Sequence, residues 1–285
     1  MFSRIVLLCV ATISIAGCGE AQTGDGDVVA AFYPLAFALA EVAPQGIVVR
    51  DLTPPGAEPH DLELDARDVE AIRGAALVVY LGGGFQPALE DALEEREGPA
   101  LDVLQKAGVR LKSDTVDTGA VDPHVWLDPL RYAAVAREIA AELGHPAGAD
   151  AFVARLERLD AELERGLARC ARRQLVTSHA AFGYLTERYD LEQVPLVGIE
   201  PEAEPSPRDL EQLVDRVRAT GATTIFFETL VSSELAGTVA RETGARTAVL
   251  DPLEGLQAEQ LDAGTDYFDV MRENLAALRA GLGCR

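Results

Sequence analysis

AFVARLERLDAELERGLARC, residues 151–170, is the stretch that decides the fold. Phe152, Leu156, Leu159, Leu163, Leu167 and Cys170 recur at steps of three and four, and charged residues fill the opposite face. That is the period of an α-helix with one apolar stripe. Twenty residues make a rod about 30 Å long at 1.5 Å per residue. The rod stands mid-chain between two strand-rich halves, so we expect a strut joining two lobes. An ordinary surface helix of one domain is the plainer alternative.

Working outward from the rod, both halves alternate short apolar runs with helical periods. On its N-terminal side, strands are expected at residues 27–32, 46–52, 76–81 and 109–111. Helices are expected at 35–42, 65–73, 89–95, 101–107 and 129–144. On its C-terminal side, strands are expected at 174–177, 194–197, 224–227 and 245–250, with helices at 184–189, 210–219, 235–243 and 267–282. Such alternation implies the α/β class with mainly parallel sheets. We expect two lobes, each a small sheet flanked by helices: residues 27–145, a linking helix over 146–171, and residues 172–285.

Residues 1–18 stand outside that pattern. Arg4 precedes an apolar run from Ile5 to Ile15 that is too short for a mature anchor, and small residues follow, as in a secretory signal. Ile15-Ala16-Gly17-Cys18 resembles a bacterial lipobox, which makes Cys18 a candidate lipid anchor. Plain signal cleavage a few residues later is the alternative. Residues 19–26 read as a flexible tether. The protein is therefore expected to be exported, as a periplasmic or cell-surface molecule. Cys9 leaves with the signal, so Cys170 and Cys284 remain as an even pair in an oxidising compartment, expected as a disulfide; two buried thiols are the alternative. The net charge of −22 over 285 residues argues against a nucleic-acid partner, which needs basic surface.

The chemistry concentrates in the histidines, of which the chain has four. His60 lies in Gly56-Ala57-Glu58-Pro59-His60-Asp61. His124 lies in Asp122-Pro123-His124-Val125-Trp126-Leu127-Asp128, beside the only Trp. His179 follows the strand at 174–177, and Asp251-Pro252 ends the strand at 245–250. All four positions are loop ends after predicted strands, where open α/β sheets place ligand-binding groups. They are each more than 50 residues from the next, so the fold must bring them together. A structural zinc site has its ligands paired at short spacing instead. Any one such His alone reads as a hydrogen-bonded structural residue; four matching positions point to one metal ion. Three imidazoles and one carboxylate suit tetrahedral zinc. Glu58, Glu228 and Asp128 are candidates to hold imidazole N–H groups from behind. His145, before a proline at a helix end, reads as a solvent-exposed cap.

These motifs, with Ser178-His179 and Leu250-Asp251-Pro252-Leu253-Glu254-Gly255, resemble the cluster A-I zinc and manganese solute-binding lipoproteins of bacterial ABC transporters. The similarity runs from about Asp27 to the C-terminus. It implies two α/β lobes joined by one long rigid helix, with the metal between them, and a monomer that hands its cargo to a membrane permease. It implies His60, His124, His179 and Asp251 as the ligands. Manganese-selective members carry Glu at the position of His179, so the cargo is expected to be Zn2+, with Mn2+ ranked second. Many zinc members carry a long His-rich loop before the second ligand; residues 112–121 here are short and lack His. A zinc-dependent hydrolase is the competing class, since three histidines with an open fourth position also describe catalytic zinc. A carboxylate in that position and the absence of a His-Glu-x-x-His helix argue for a non-enzyme. A surface adhesin ranks last, for want of any adhesive repeat or patch.

Overall fold

A computed structural model describes residues 27–106, 121–203 and 205–285. The expected signal, the lipobox with Cys18, the tether and the strand at 109–111 lie outside them, as do residues 112–120. In chain order the first half contains β1 (Val28–Ala30), α1 (Tyr33–Val42), β2 (Val49–Asp51), α2 (Ala66–Gly74), β3 (Leu77–Tyr80), α3 (Pro87–Glu94), β4 (Ala100–Asp102), α4 (Val103–Lys106) and α5 (Pro129–Glu142). Then come α6 (Asp150–Leu167), β5 (Gln174–Thr177), α7 (Gly183–Arg188), β6 (Glu192–Pro195), α8 (Pro207–Thr220), β7 (Thr224–Phe227), α9 (Glu234–Thr243), β8 (Arg246–Val249), α10 (Ala258–Asp262) and α11 (Tyr267–Leu282).

Strands β1–β4 form one sheet in the order β2-β1-β3-β4, and strands β5–β8 form a second in the order β6-β5-β7-β8. Every pairing is parallel. Each sheet thus winds outward from its first strand in both directions, and a crevice opens beyond the strand ends where the winding reverses. The two-lobed α/β architecture expected from the alternation is the one found.

Local chemistry sets the helix starts. Asp65 and Asp68 form a capping box at α2, Asp266 and Asp269 another at α11, and Ser206 before Pro207 caps α8. The helix expected over 101–107 starts later: Leu101 pairs with Val79 of β3 and Asp102 closes that short strand, and the helix follows over Val103–Lys106, with residue 107 outside the described residues. A three-residue strand with a single buried side chain leaves no readable period. The Asp102 carboxylate accepts the Gly82 and Leu104 N–H groups, which fixes the change of direction.

The long helix is α6. Phe152, Leu156, Leu159, Leu163 and Leu167 are all buried, the face the periodicity selected. It packs along α5 and α11 within a core that reaches strands of both sheets. At its C-terminal end Cys170 is bonded to Cys284 just past α11, across 114 residues of sequence. Backbone bonds from Arg172 to Leu282 and from Arg285 to Arg169 flank the bridge. A loop of that length constrains the unfolded chain by about 4–5 kcal/mol at most.

Candidate metal centre

His179 and Glu228 flank the reversal point of the second sheet. His179 follows β5 and Glu228 ends β7, the two strands between which the winding changes direction. Their side chains meet: the His179 Nδ1 lies 2.7 Å from Glu228 Oε1, which also accepts from Ser178 Oγ. The other ring nitrogen of His179 is left facing the first lobe.

From the first lobe, His60 arrives on the loop after β2. Thr53 Oγ1 donates to the Ala31 carbonyl, and the Gln86 amide donates to the Pro59 carbonyl, so β1 and the start of α3 hold that loop. Gly56 permits the turn. Its φ of +79° favours glycine, and a Cβ there would meet the Gln257 side chain at 2.7 Å. Its N–H donates to the Leu256 carbonyl of the other lobe. His124 is anchored by Asp122, whose carboxylate accepts from the His124 backbone N–H at 3.0 Å and lies 2.8 Å from its Nδ1.

The three Nε2 atoms converge on Glu254. Its Oε1 lies 2.8 Å from His124, 3.3 Å from His60 and 3.4 Å from His179, and the His124 and His179 Nε2 atoms are 3.4 Å apart. His124, His179 and Glu254 are wholly buried, and His60 nearly so.

Glu254, not Asp251, therefore completes the set of donors that lie within 4.8 Å of one another. Asp251 is occupied in shaping the loop. Its carboxylate accepts from the Leu253 N–H at 2.7 Å and from Thr229 Oγ1 at 3.0 Å, and Asn274 grips its backbone on both sides. Leu253 takes φ +57°, and the turn this makes swings the next side chain inward. Trp126 Nε1 donates to the Pro252 carbonyl at 2.7 Å, and Tyr267 donates to the Trp126 carbonyl, so the His124 loop and the Glu254 loop are tied together. Glu254 stood in the quoted motif three residues beyond Asp251; only the left-handed turn tells which of the two faces the crevice.

The supporting carboxylates also differ in part from expectation. Glu228 holds an imidazole as expected. Glu58 accepts instead from the His60 backbone N–H. Asp128 caps α5 through Leu130 and pairs with Arg131, while Asp122 holds His124 in its place. An N-terminal aspartate followed by Pro129 is a helix-start signal that outweighs proximity to a histidine. His145 is exposed as expected, but its side chain makes no capping hydrogen bond at the short 3-10 turn Pro146–Ala149 that it precedes.

The imidazoles and carboxylates of the site shift one another in opposite directions. Burial alone would lower the His124 and His179 pKa values, but Asp122 and Glu254 raise the first, and Glu228 and Glu254 raise the second. Burial would raise Glu254, yet the facing imidazoles hold it well below the usual carboxylate range. Glu58 is pushed up to about 8 by burial and then by Glu254. A divalent ion at the centre would displace the imidazole protons and satisfy the carboxylates together.

The family model described as zinc-uptake complex component A, periplasmic (ZnuA), matches residues 28–281. The high-affinity zinc uptake system protein ZnuA of Bacillus subtilis is 30% identical over 313 residues, covering 99% of this chain and 98% of that protein. The zinc-binding protein AdcA of Streptococcus pyogenes serotype M1 is 33% identical over 288 residues. That match covers 90% of this chain but only 56% of AdcA, so the chain spans little more than half of that relative. Among solved structures, the laminin binding protein Lmb of Streptococcus agalactiae, described as having adhesin and metal transporting activity, superposes with a TM-score of 0.80 at 31% identity. The superposition covers 90% of this chain and 99% of Lmb. With the family model spanning nearly the whole described chain, and a full-length relative at 30% identity, this protein belongs to the ZnuA family of solute-binding proteins.

Proposed function

We propose that the protein is an extracytoplasmic zinc carrier that captures one Zn2+ between its lobes, through His60, His124, His179 and Glu254, and delivers it to the membrane permease of an ABC importer. The observation that carries this reading is the size of the donor set. Zinc bonds of about 2.0–2.1 Å to N and O in a tetrahedron require ligand atoms about 3.3–3.4 Å apart. Three of the measured edges are 3.3, 3.4 and 3.4 Å, and the fourth, at 2.8 Å, would open as the ion enters. Three nitrogens favour zinc over manganese, which suits oxygen-rich sets. In this reading residues 27–145 and 172–285 act as the two jaws, and residues 146–171 as the rod that keeps their separation nearly fixed. Cys18 carries the lipid, and the carrier works as a monomer at the outer face of the membrane.

The Glu254 carboxylate supports a carrier over a hydrolase, because it takes the position a reactive water would need. Among the described residues no helix is long and apolar enough to cross a membrane, which accords with a carrier that relies on a separate permease. Calorimetric titration of the metal-stripped protein with zinc and with manganese tests the assignment. One tight zinc per chain and weak manganese are expected. Tight manganese with weak zinc would overturn the cargo, and turnover of esters or peptides by the zinc-loaded protein would overturn the carrier.

A further inference from the structure

A second convergence lies beside the histidines. Carboxylate oxygens of Glu58, Glu228 and Glu254 come within 4.8 Å of one another. The Oε2 atom of each is buried and has no hydrogen-bond partner among the described residues. The other oxygens are engaged: Glu58 Oε1 with the His60 N–H, Glu228 Oε1 with Ser178 and His179, and Glu254 Oε1 with the three imidazoles. Glu228 is 2% exposed and Glu254 0%. Buried carboxylate oxygens without donors are costly unless a proton or a cation lies among them.

We propose that Glu58, Glu228 and Glu254 form an all-oxygen loading site, which a divalent cation occupies in transit before it passes to the three imidazoles. The inference rests on the zinc-carrier reading above and adds a route to it. Glu254 belongs to both clusters, so a cation can move from its Oε2 to its Oε1 without losing its anionic partner. Exposure falls across the cluster: Glu58 is half-buried, and Glu228 and Glu254 are buried. Carboxylates are also the donors that accept a partly hydrated divalent cation most readily, because they replace water oxygen with oxygen. Nitrogen donors further in then retain the ion that prefers them. By microscopic reversibility the same three carboxylates carry the ion outward.

Stopped-flow zinc uptake and chelator-driven release, measured on the metal-stripped whole chain, test the route with Glu58→Gln. The amide keeps an oxygen for the His60 N–H and replaces the free carboxylate oxygen with an NH2 group that cannot bind a cation. Loading and release should both slow about tenfold or more, the scale on which local charge governs cation on-rates. The calorimetric Kd should stay within about threefold, because a transit ligand affects both directions alike. Glu58→Asp should recover part of the rate. Glu63→Gln, which removes an exposed charge from the same segment, should leave both rates unchanged. An uptake rate for Glu58→Gln equal to wild type would overturn the loading site. So would an affinity loss carried by faster release alone, which marks a resident ligand or a damaged loop. Failure of the wild-type chain to bind zinc would instead overturn the carrier reading.

Discussion

The two lobes share one winding order, yet their sheets are buried differently. In the first lobe, consecutive residues of β1 and β3, Val28, Val29 and Ala30 with Leu77, Val78 and Val79, all join one continuous core that includes α6 and α11. In the second lobe, alternate residues part company. Leu175 and Phe226 face that same core, whereas Val176 and Ile225 face a separate, smaller one with Leu213 and Val217 of α8 and Val239 of α9. Side chains alternate across a strand, so the second sheet acts as a partition. One of its faces is built into the rigid frame of the molecule. The other carries an outer layer that stands on its own small core, and the loop holding Glu200 leads into that layer.

Equal sharing of the ion is the first point at which the comparison can be broken. His124→Ala removes a ligand from one lobe and His179→Ala from the other. Each should weaken zinc by well over 100-fold, beyond the 10- to 100-fold typical of an outer partner. Titration calorimetry would show whether one lobe instead keeps nearly full affinity alone.

Core truncations sharpen the difference in burial. Both Leu159 in α6 and Leu213 in α8 are almost wholly buried. Leu159→Ala should cost about 3–5 kcal/mol and Leu213→Ala about 2–3 kcal/mol within the usual range for Leu truncation. Urea unfolding gives the totals. Hydrogen exchange should show Leu213→Ala loosening α8 and α9 while α6 stays protected. Uniform loosening would mean the two cores act as one.

The carboxylates behind the imidazoles come next. Asp122→Asn and Glu228→Gln should each weaken zinc by about 10–100-fold, equally in the two lobes, because each fixes one ring through Nδ1. Retained affinity in either would show that its ring is oriented by packing alone.

The smallest effect is one of pH. Burial raises Asp51, at the end of β2, to about 7 and Asp251, at the end of β8, to about 6. Both therefore bind protons in the folded state at pH values where the unfolded chain, with carboxylates near 4, does not. That contribution is full below pH 4 and is lost as pH rises through 6 to 7. His124 and His179, also raised, act in the same direction. The metal-free protein should melt several degrees lower at pH 8 than at pH 6, and Asp51→Asn should remove part of the difference. Zinc bound at the imidazoles would replace their protons, so its stabilisation should grow over the same range. A metal-free melting temperature that rises with pH would contradict the burial of these groups.

Much of this was legible in the sequence, for identifiable reasons. The long period of residues 151–170 foretold α6 because a helix of many turns repeats its signal. The strands at 174–177 and 224–227 were readable because their apolar runs are bounded on both sides. The three histidines stood out because each ends a loop after a strand. The strand β4 was hidden because Leu101 is its one buried residue and its run passes directly into α4. The fourth donor of the cluster was hidden for a different reason. Asp251 and Glu254 are both acids in one short loop, and the choice between them depends on the backbone turn at Leu253 and on the pull of Trp126 from the other lobe. Sequence spacing carries neither. Asp128 was misassigned as a support for an imidazole because its duty as a helix cap competes with its nearness to His124.

We propose that one zinc ion sits among three imidazoles and the Glu254 carboxylate, drawn from both lobes. Anomalous diffraction at the zinc edge, from crystals of the zinc-loaded protein, locates the ion. A single strong peak is expected about 2.0–2.1 Å from the Nε2 atoms of His60, His124 and His179 and from a Glu254 oxygen. A peak bound to Asp251 with Glu254 turned away, or a peak held by ligands of one lobe only, would contradict it.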